Sequence, residues 1–286
     1  MIYEELKFIA EIGINSNGSL QSAVDIIKLA KKVGFDYVKF QKRDPNICVP
    51  ENQKDEPKQV PWSNLPITYL QYKNAMEFEI EEYEYLDVIC ESLDMPWFVS
   101  VWDINSADDM LQFHMPFVKI PSAKLTDDNL LFFCRENYDN IVLSTGMSTQ
   151  DEIDNAVFEY QPDILFHTNS NYPTPLEEIN LSYIWYMNVV YGKTYSYGYS
   201  NHCPDITAIY SAAIYPYLEF IEMHVTDDPT KWGSDQASSF DLVHGNLREH
   251  ISIIKKMREN HTDIYRGDKP RELYPGEDIK KKSLRG

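Results

Sequence analysis

The sequence predicts a single-domain α/β protein, a (β/α)8 TIM barrel. Three observations carry this expectation. β-rich runs alternate with amphipathic stretches eight times, polar residues collect where the runs end, and 286 residues suit one barrel with modest loops. An open doubly wound sheet is the competing topology, and eight consecutive units disfavour it.

The first run, FIAEIGIN over residues 8–15, has the branched and aromatic composition of a strand. Residues 19–34 follow, with Val24, Ile27, Leu29, Ala30 and Val33 at roughly helical spacing. YVKFQ (37–41) is the second strand, and a Pro- and charge-rich loop from 44 to about 66 separates it from a helix over 70–93. WFVSV (97–101) is the third strand, ahead of a short helix over 106–113. In the second half, 117–120 precede a helix over 126–136, and 141–144 precede 149–160. Residues 164–168 then precede 176–190, 196–200 precede 206–215, and 220–225 precede a last helix over 239–259. The barrel is expected to occupy residues 1–265, and the polar, basic stretch RGDKPRELYPGEDIKKKSLRG within 266–286 reads as an extension rather than a domain.

Composition removes several classes of function. A net charge of −19 leaves no broad basic surface for nucleic acid or an anionic membrane. No apolar run reaches membrane-spanning length, and MIYEELKFIAEIGIN lacks the basic start and apolar core of a signal peptide. Cys48, Cys90, Cys134 and Cys203 form no CxxC pair, which fits reduced thiols in a cytoplasm. A small anion can still bind wherever lysines reverse the local field.

Catalytic groups of such barrels gather at the C-terminal ends of the strands, and here those ends are polar in nearly every unit. The first strand carries Glu11. The second carries Lys39 and Gln41, followed by Lys42 and Arg43. Lys119 and Ser122 mark the fourth, Ser144 the fifth, and His167 to Tyr172 the sixth, with Asn169, Ser170 and Asn171 between. Ser200 and His202 end the seventh, and Glu222 and His224 lie in the eighth, ahead of Asp235. A lysine inside a β-rich run is costly unless it meets an anion or an internal glutamate. For Lys39 and Lys119 both readings stay open, although the neighbouring serines suit a phosphate and a carboxylate. His202 and His224 end adjacent strands and can reach one divalent ion. The alternative for them is a pair of hydrogen-bonded histidines. His167 reads as structural, and His114, His244, His250 and His261 fall on helices or their ends. Asp235, on a loop, is either a turn residue or a group that touches hydroxyls or a proton.

In this order, FIAEIGINSNG, DYVKFQKR, FVSVWD, FVKIPSAKLTD, IVLSTGMSTQDEID, NSNYPTPLEEINL, YGYSNH, IEMHVT and WGSDQAS resemble the sialic acid synthase (N-acetylneuraminate synthase) family over roughly residues 7–240. The resemblance implies a barrel that joins phosphoenolpyruvate to N-acetylmannosamine or a related N-acylated hexose, with manganese, magnesium or cobalt as the divalent metal. It implies metal ligation by His202 and His224. Lys39, Lys119, Ser122, Ser144, Ser200 and the turn Asn169, Ser170, Asn171 and Tyr172 become the phosphoenolpyruvate side. Glu11, Gln41 and Asp235 become sugar contacts, with Glu222 close to the metal. The sequence departs from the family's pattern at Ser16, where a histidine is usual, and at Val101-Trp102, where Thr-Pro is common. The small C-terminal antifreeze-like domain of many members is not present before Gly286. Arg266, Arg271 or Arg285 would then replace its arginine, or the sugar's N-acyl group is held differently. A homodimer is expected by analogy. Two rival readings are a metal-dependent barrel aldolase or lyase acting on a keto-sugar acid, and an inactive sugar-binding barrel.

Overall fold

The computed structural model describes residues 5–260 and residue 277. Eight parallel strands run in chain order around a closed barrel: β1 (Lys7–Glu11), β2 (Tyr37–Lys42), β3 (Trp97–Val101), β4 (Val118–Ile120), β5 (Ile141–Ser144), β6 (Ile164–Thr168), β7 (Ser196–Asn201) and β8 (Leu218–Thr226). β8 closes on β1 with Ile9 opposite Glu222 and Glu11 opposite His224. A two-residue strand, Phe240–Asp241, adds to the end of β8. The outer helices are α1 (Leu20–Val33), α2 (Ile80–Ser92), α3 (Ile104–Asp109), α4 (Asp128–Asn137), α5 (Gln150–Tyr160), α6 (Ser182–Tyr191), α7 (Ile206–Ala213) and α8 (Leu247–Glu259). The predicted (β/α)8 architecture is therefore the observed one. No helix among the described residues is long and apolar enough to cross a membrane.

Strand alternation builds two separate cores. Leu6, Phe8, Ala10, Val38, Phe40, Val99 and Leu143 point outward and pack under the helices. Their neighbours Ile9, Phe98, Val142, Ile164, Phe166 and Phe220 point inward and plug the lumen. Two residues further along the same strands, the inward positions turn polar: Glu11, Ser100, Ser144, Thr168 and Glu222 are all buried. The apolar plug is thus the floor of a polar chamber at the C-terminal end. Gly198 belongs to this floor, because a Cβ there would stand 2.2 Å from Cε1 of Phe166.

Three expected elements differ. The helix expected over 70–93 is broken into Tyr69–Asn74 and α2. Between them the chain turns inward to bury Met76 and Phe78, while Phe78 O accepts Lys42 Nζ at 3.0 Å and Glu82 restarts the helix by accepting the Glu79 N–H at 2.9 Å. Gly18 lies so close to this break that a Cβ would meet Ala75 O at 1.9 Å. The helix expected over 176–190 begins only at Ser182, after a 3-10 turn at Leu176–Glu178. The last helix starts at Leu247 rather than 239, since Phe240–Asp241 pair with β8 and Asn246 takes a left-handed conformation, φ 52°. The loop after β2 also holds an antiparallel hairpin, Pro57–Lys58 with Ile67–Thr68.

Candidate active site

The chamber is a cavity of about 130 Å³ above the aromatic floor, and Glu11, Lys39, Gln41, Lys119, Ser122, Ser144, Ser170, Tyr172, Ser200, His202, Glu222 and His224 all line it. Asp235 stands beside it, Oδ2 3.7 Å from Nδ1 of His224. A larger groove of about 670 Å³ opens between the loops after β5 and β6. It takes in Asn169 and Asn171 and shares Met147, Thr168 and Ser170 with the chamber. The charged groups converge in the smaller space, so the chemistry is placed there despite its size.

Both lysines are buried and ion-paired. Lys39 contacts the Glu11 carboxylate and lies 3.6 Å from Oε1 of Glu222, while Lys119 Nζ meets that same oxygen at 2.7 Å. Ser200 donates to Glu222 Oε1 at 3.1 Å, and Lys39 donates to Ser100 at 2.8 Å. Two cations and two carboxylates thus balance inside the barrel, as the internal-pairing reading of the lysines requires. Burial lowers the pKa of both lysines, and the Glu222 charge pulls each back up. Lys119 Nζ also sits 4.9 Å above the Phe166 ring, so its positive charge rests partly on the aromatic floor.

The serines surround Gly146. Its N–H donates to Ser122 Oγ at 3.1 Å, and a Cβ on it would lie 2.3 Å from Ser170 Oγ and 2.8 Å from Ser122 Oγ. Only glycine lets three loops meet this closely. Ser144 Oγ is buried with no protein partner, a donor left available to a ligand. Asn169 and Asn171 have side chains engaged within their own loop, to Glu178 O at 2.9 Å and Glu178 Oε2 at 2.6 Å. Their contribution to the chamber is to shape that loop, which also carries Ser170 and Tyr172.

The histidines meet the requirements of a metal pair. Nδ1 of His202 lies 2.6 Å from Asn169 O, so that nitrogen carries the proton and Nε2 presents its lone pair. In this structure Nε2 accepts from the Tyr172 hydroxyl at 2.8 Å, and the two rings stack with centroids 4.0 Å apart. The His202 and His224 rings are 5.3 Å apart, and Nδ1 of His224 is buried without a partner. Burial, with the neighbouring His224, pushes His202 down to about 3, and burial lowers His224 as well, so both stay neutral at ordinary pH. Among the described residues, no group of three His, Cys, Asp or Glu side chains forms a ready-made metal cage. The donor set that fits an ion is therefore two neutral imidazoles with Asp235 beside them, the remaining positions falling to water or substrate.

His167 lies outside this set: its Nε2 bonds Ile179 O at 2.7 Å, and its ring stacks on Tyr199. His244 bonds Asp241 and His250 bonds Tyr210, both away from the chamber. Ser16 is 1% exposed with its hydroxyl unpartnered. Trp102 lines the chamber, while Val101 points into the outer core. Arg266, Arg271 and Arg285, the extension and His261 lie outside the described residues.

Sequence reasoning left three contributors unassigned. Ser100 and Thr168 occupy inward positions two residues beyond Phe98 and Phe166, a signal present in the alternation. Arg43 donates to Gln41 Oε1 at 2.6 Å, stacks 4.9 Å from the Trp102 ring and pairs with Glu77 at 2.6 Å. Gln41 in turn donates to Glu11 at 3.1 Å, so Arg43 fixes which way that amide faces. No local signal links Arg43 to Trp102 and Glu77, which approach through the broken helix and the next strand.

A closed barrel that gathers paired lysines, clustered serines and two neutral histidines at its C-terminal mouth has the arrangement of a barrel enzyme's active site. The comparisons with known proteins agree with that class. Residues 26–264 match the NeuB family, and the chain belongs to it. It is 28% identical over 272 residues to the N,N'-diacetyllegionaminic acid synthase of Legionella pneumophila, covering 91% of this chain and 74% of that protein. It is 28% identical to the N-acetylneuraminate-9-phosphate synthase of Homo sapiens, covering 86% and 68% of the two chains. Among solved structures, an N-acetylneuraminic acid (sialic acid) synthetase from Leptospira borgpetersenii in complex with citrate superposes with a TM-score of 0.81. The two are 24% identical, with 99% of this chain and 93% of the other aligned, a likeness of fold.

Proposed function

We propose that this protein condenses phosphoenolpyruvate with the open-chain aldehyde of an N-acylated amino sugar, giving a sialic-acid-like nonulosonate and phosphate. The observation that carries this reading is the convergence of Lys39, Lys119, the unpartnered Ser144 hydroxyl and two neutral histidines in one chamber of a NeuB-family barrel. The named relatives make products of this class.

In this reading the serines around Gly146 and the two lysines hold the phosphate and carboxylate of phosphoenolpyruvate. The anion takes over the lysines' charge as Glu11 and Glu222 yield it, so the chamber stays electrically balanced. Gln41, fixed by Arg43, and Glu11 orient the sugar, while Asp235 handles the proton of its reacting oxygen. C3 of phosphoenolpyruvate bonds to the aldehyde carbon, whose oxygen gains a proton. Water then adds at C2, and phosphate departs with its bridging oxygen. His202 and His224, with Asp235 beside them, are the residues that would hold manganese, which when bound supplies Lewis-acid polarisation of a carbonyl. The barrel is one catalytic domain over residues 1–265 with 266–286 as its extension, acting in the cytoplasm, and a homodimer is its assembly.

The test is phosphate release from phosphoenolpyruvate with manganese across a panel of N-acylated hexoses, beside Lys119→Ala. Release that requires one sugar and vanishes in the variant supports the synthase. Absence of release from folded, metal-loaded protein with every sugar refutes it, and cleavage of a keto-sugar acid without phosphate favours a lyase.

A further inference from the structure

We propose that Tyr172 is a hinged shutter: its hydroxyl holds the His202 nitrogen that a divalent ion needs, and the arriving ion turns the ring out of the chamber. Ion binding thereby makes the room for substrate. This rests on the reading above of His202 and His224 as the ion's ligands.

With Nδ1 of His202 donating to Asn169 O at 2.6 Å, the imidazole has a single lone pair to offer, on Nε2. That lone pair accepts the Tyr172 hydroxyl at 2.8 Å, so the hydrogen bond and a metal bond exclude each other. The phenol ring also stacks on the imidazole, centroids 4.0 Å apart, and meets the His224 ring at a steep angle 5.6 Å away. One side chain therefore covers both histidines.

The main chain around Tyr172 is pinned. Thr174, 2% exposed, donates its N–H to His202 O at 2.9 Å and its hydroxyl to Asn171 O at 2.8 Å. The Asn171 N–H bonds Asn169 Oδ1 at 2.9 Å. The backbone can stay in place while rotation about the side-chain bonds moves the ring. Solvent already reaches that ring, which is 46% exposed, so it has an outward path.

Room is the reason the ring must move. With Tyr172 in its wall the chamber holds about 130 Å³, against about 300–1,000 Å³ for an ordinary small-molecule site. Much of the wall cannot yield: Glu11, Lys39, Lys119, Glu222 and His224 lie on barrel strands and are at most 4% exposed. The exposed lining residues are Ala123, Met147 and Tyr172, and of these the tyrosine is the one bonded to a histidine. Shutter and ion site are thus the same contact, and the apparent affinity for the ion falls with the fraction of protein that is shuttered.

The experiment follows Tyr172 in the intact chain by nitration with tetranitromethane, mapped by mass spectrometry, with and without saturating manganese. The carbons that nitrate flank the hydroxyl, at the end of the ring held on His202. Manganese should speed nitration of Tyr172 about fivefold or more and leave the other tyrosines unchanged, which controls for unfolding. Calorimetry should show manganese bound about fivefold tighter by Tyr172→Phe, which keeps the stack and drops the hydroxyl. Nitration that manganese leaves unchanged or slows overturns the shutter, as does manganese binding that Tyr172→Phe fails to tighten. Absence of manganese binding by both proteins overturns it as well. Neither readout needs turnover: phosphate release with Tyr172 unmoved refutes the shutter alone, and a displaced Tyr172 without phosphate release refutes the synthase alone.

Discussion

Lys119→Met should destabilise the fold far more than the double variant Lys119→Met/Glu222→Met. Both partners are 4% exposed, and their contact is 2.7 Å. Removing one member of a buried pair costs about 3–5 kcal/mol, because the other charge is left without compensation. Lys39 remains 3.6 Å from the same Glu222 oxygen, which places the expected loss near the lower end, about 3 kcal/mol. At about 2–4 °C per kcal/mol for a domain of this size, the midpoint should fall by roughly 6–12 °C. In the double variant both charges are gone, and Lys39 keeps Glu11. Stability should then return to within about 1 kcal/mol of wild type, leaving a coupling of about 2 kcal/mol or more in the cycle. Urea and thermal unfolding followed by circular dichroism measure all four proteins. Additive losses in the double variant would refute the charge-balance argument, as would a single variant that unfolds like wild type.

Three further outcomes are expected. Gly146→Ala inserts a methyl 2.3 Å from Ser170 Oγ and 2.8 Å from Ser122 Oγ, so steady-state kinetics should show KM for phosphoenolpyruvate raised about tenfold or more. Tyr172→Phe keeps the stack on His202 but removes the hydroxyl that occupies Nε2, a bond worth about 1 kcal/mol, so calorimetry should find manganese bound about fivefold tighter. Burial pushes the Glu222 carboxyl up, but Lys119 and Lys39 outweigh it and hold it down to about 2. A carboxyl depressed in the folded state stabilises above its unfolded pKa of about 4.3 and loses that contribution as pH falls through its folded value. Urea midpoints measured downward from about pH 5 should therefore decline in wild type and decline less in Glu222→Gln.

Much of the fold was legible because a barrel strand writes its inside and outside two residues apart. Phe98 before Ser100, and Phe166 before Thr168, encode floor and chamber in the spacing itself. The polar strand ends located the chamber for the same reason, and Glu11, Lys39, Lys119, Glu222 and both histidines reach it. Which partner each lysine takes depends on register between strands, as in Glu11 opposite Lys39 and Ser200 opposite Glu222, and no single strand records that. The broken helix escaped notice because residues 70–93 keep a helix-compatible composition. What breaks it is tertiary: the burial of Met76 and Phe78 and the approach of Gly18. The hairpin at Lys58 was hidden in a loop whose prolines and charges resemble those of many unstructured connections.

The seam between β1 and β8 has a bearing on how the chain is made. Glu222 and His224 are delivered by the last barrel strand to leave the ribosome, whereas Lys39 and Lys119 emerge well before it. Until Leu218–Thr226 arrives, β1 keeps a bare edge, and while Lys39 has Glu11 beside it, Lys119 lacks the Glu222 carboxylate that pairs with it in the finished barrel. A partial barrel is then electrically incomplete as well as geometrically open, so closing early would bury a surplus positive charge. Translation that stops short of β8 should leave an open product that quality control can distinguish from the finished ring.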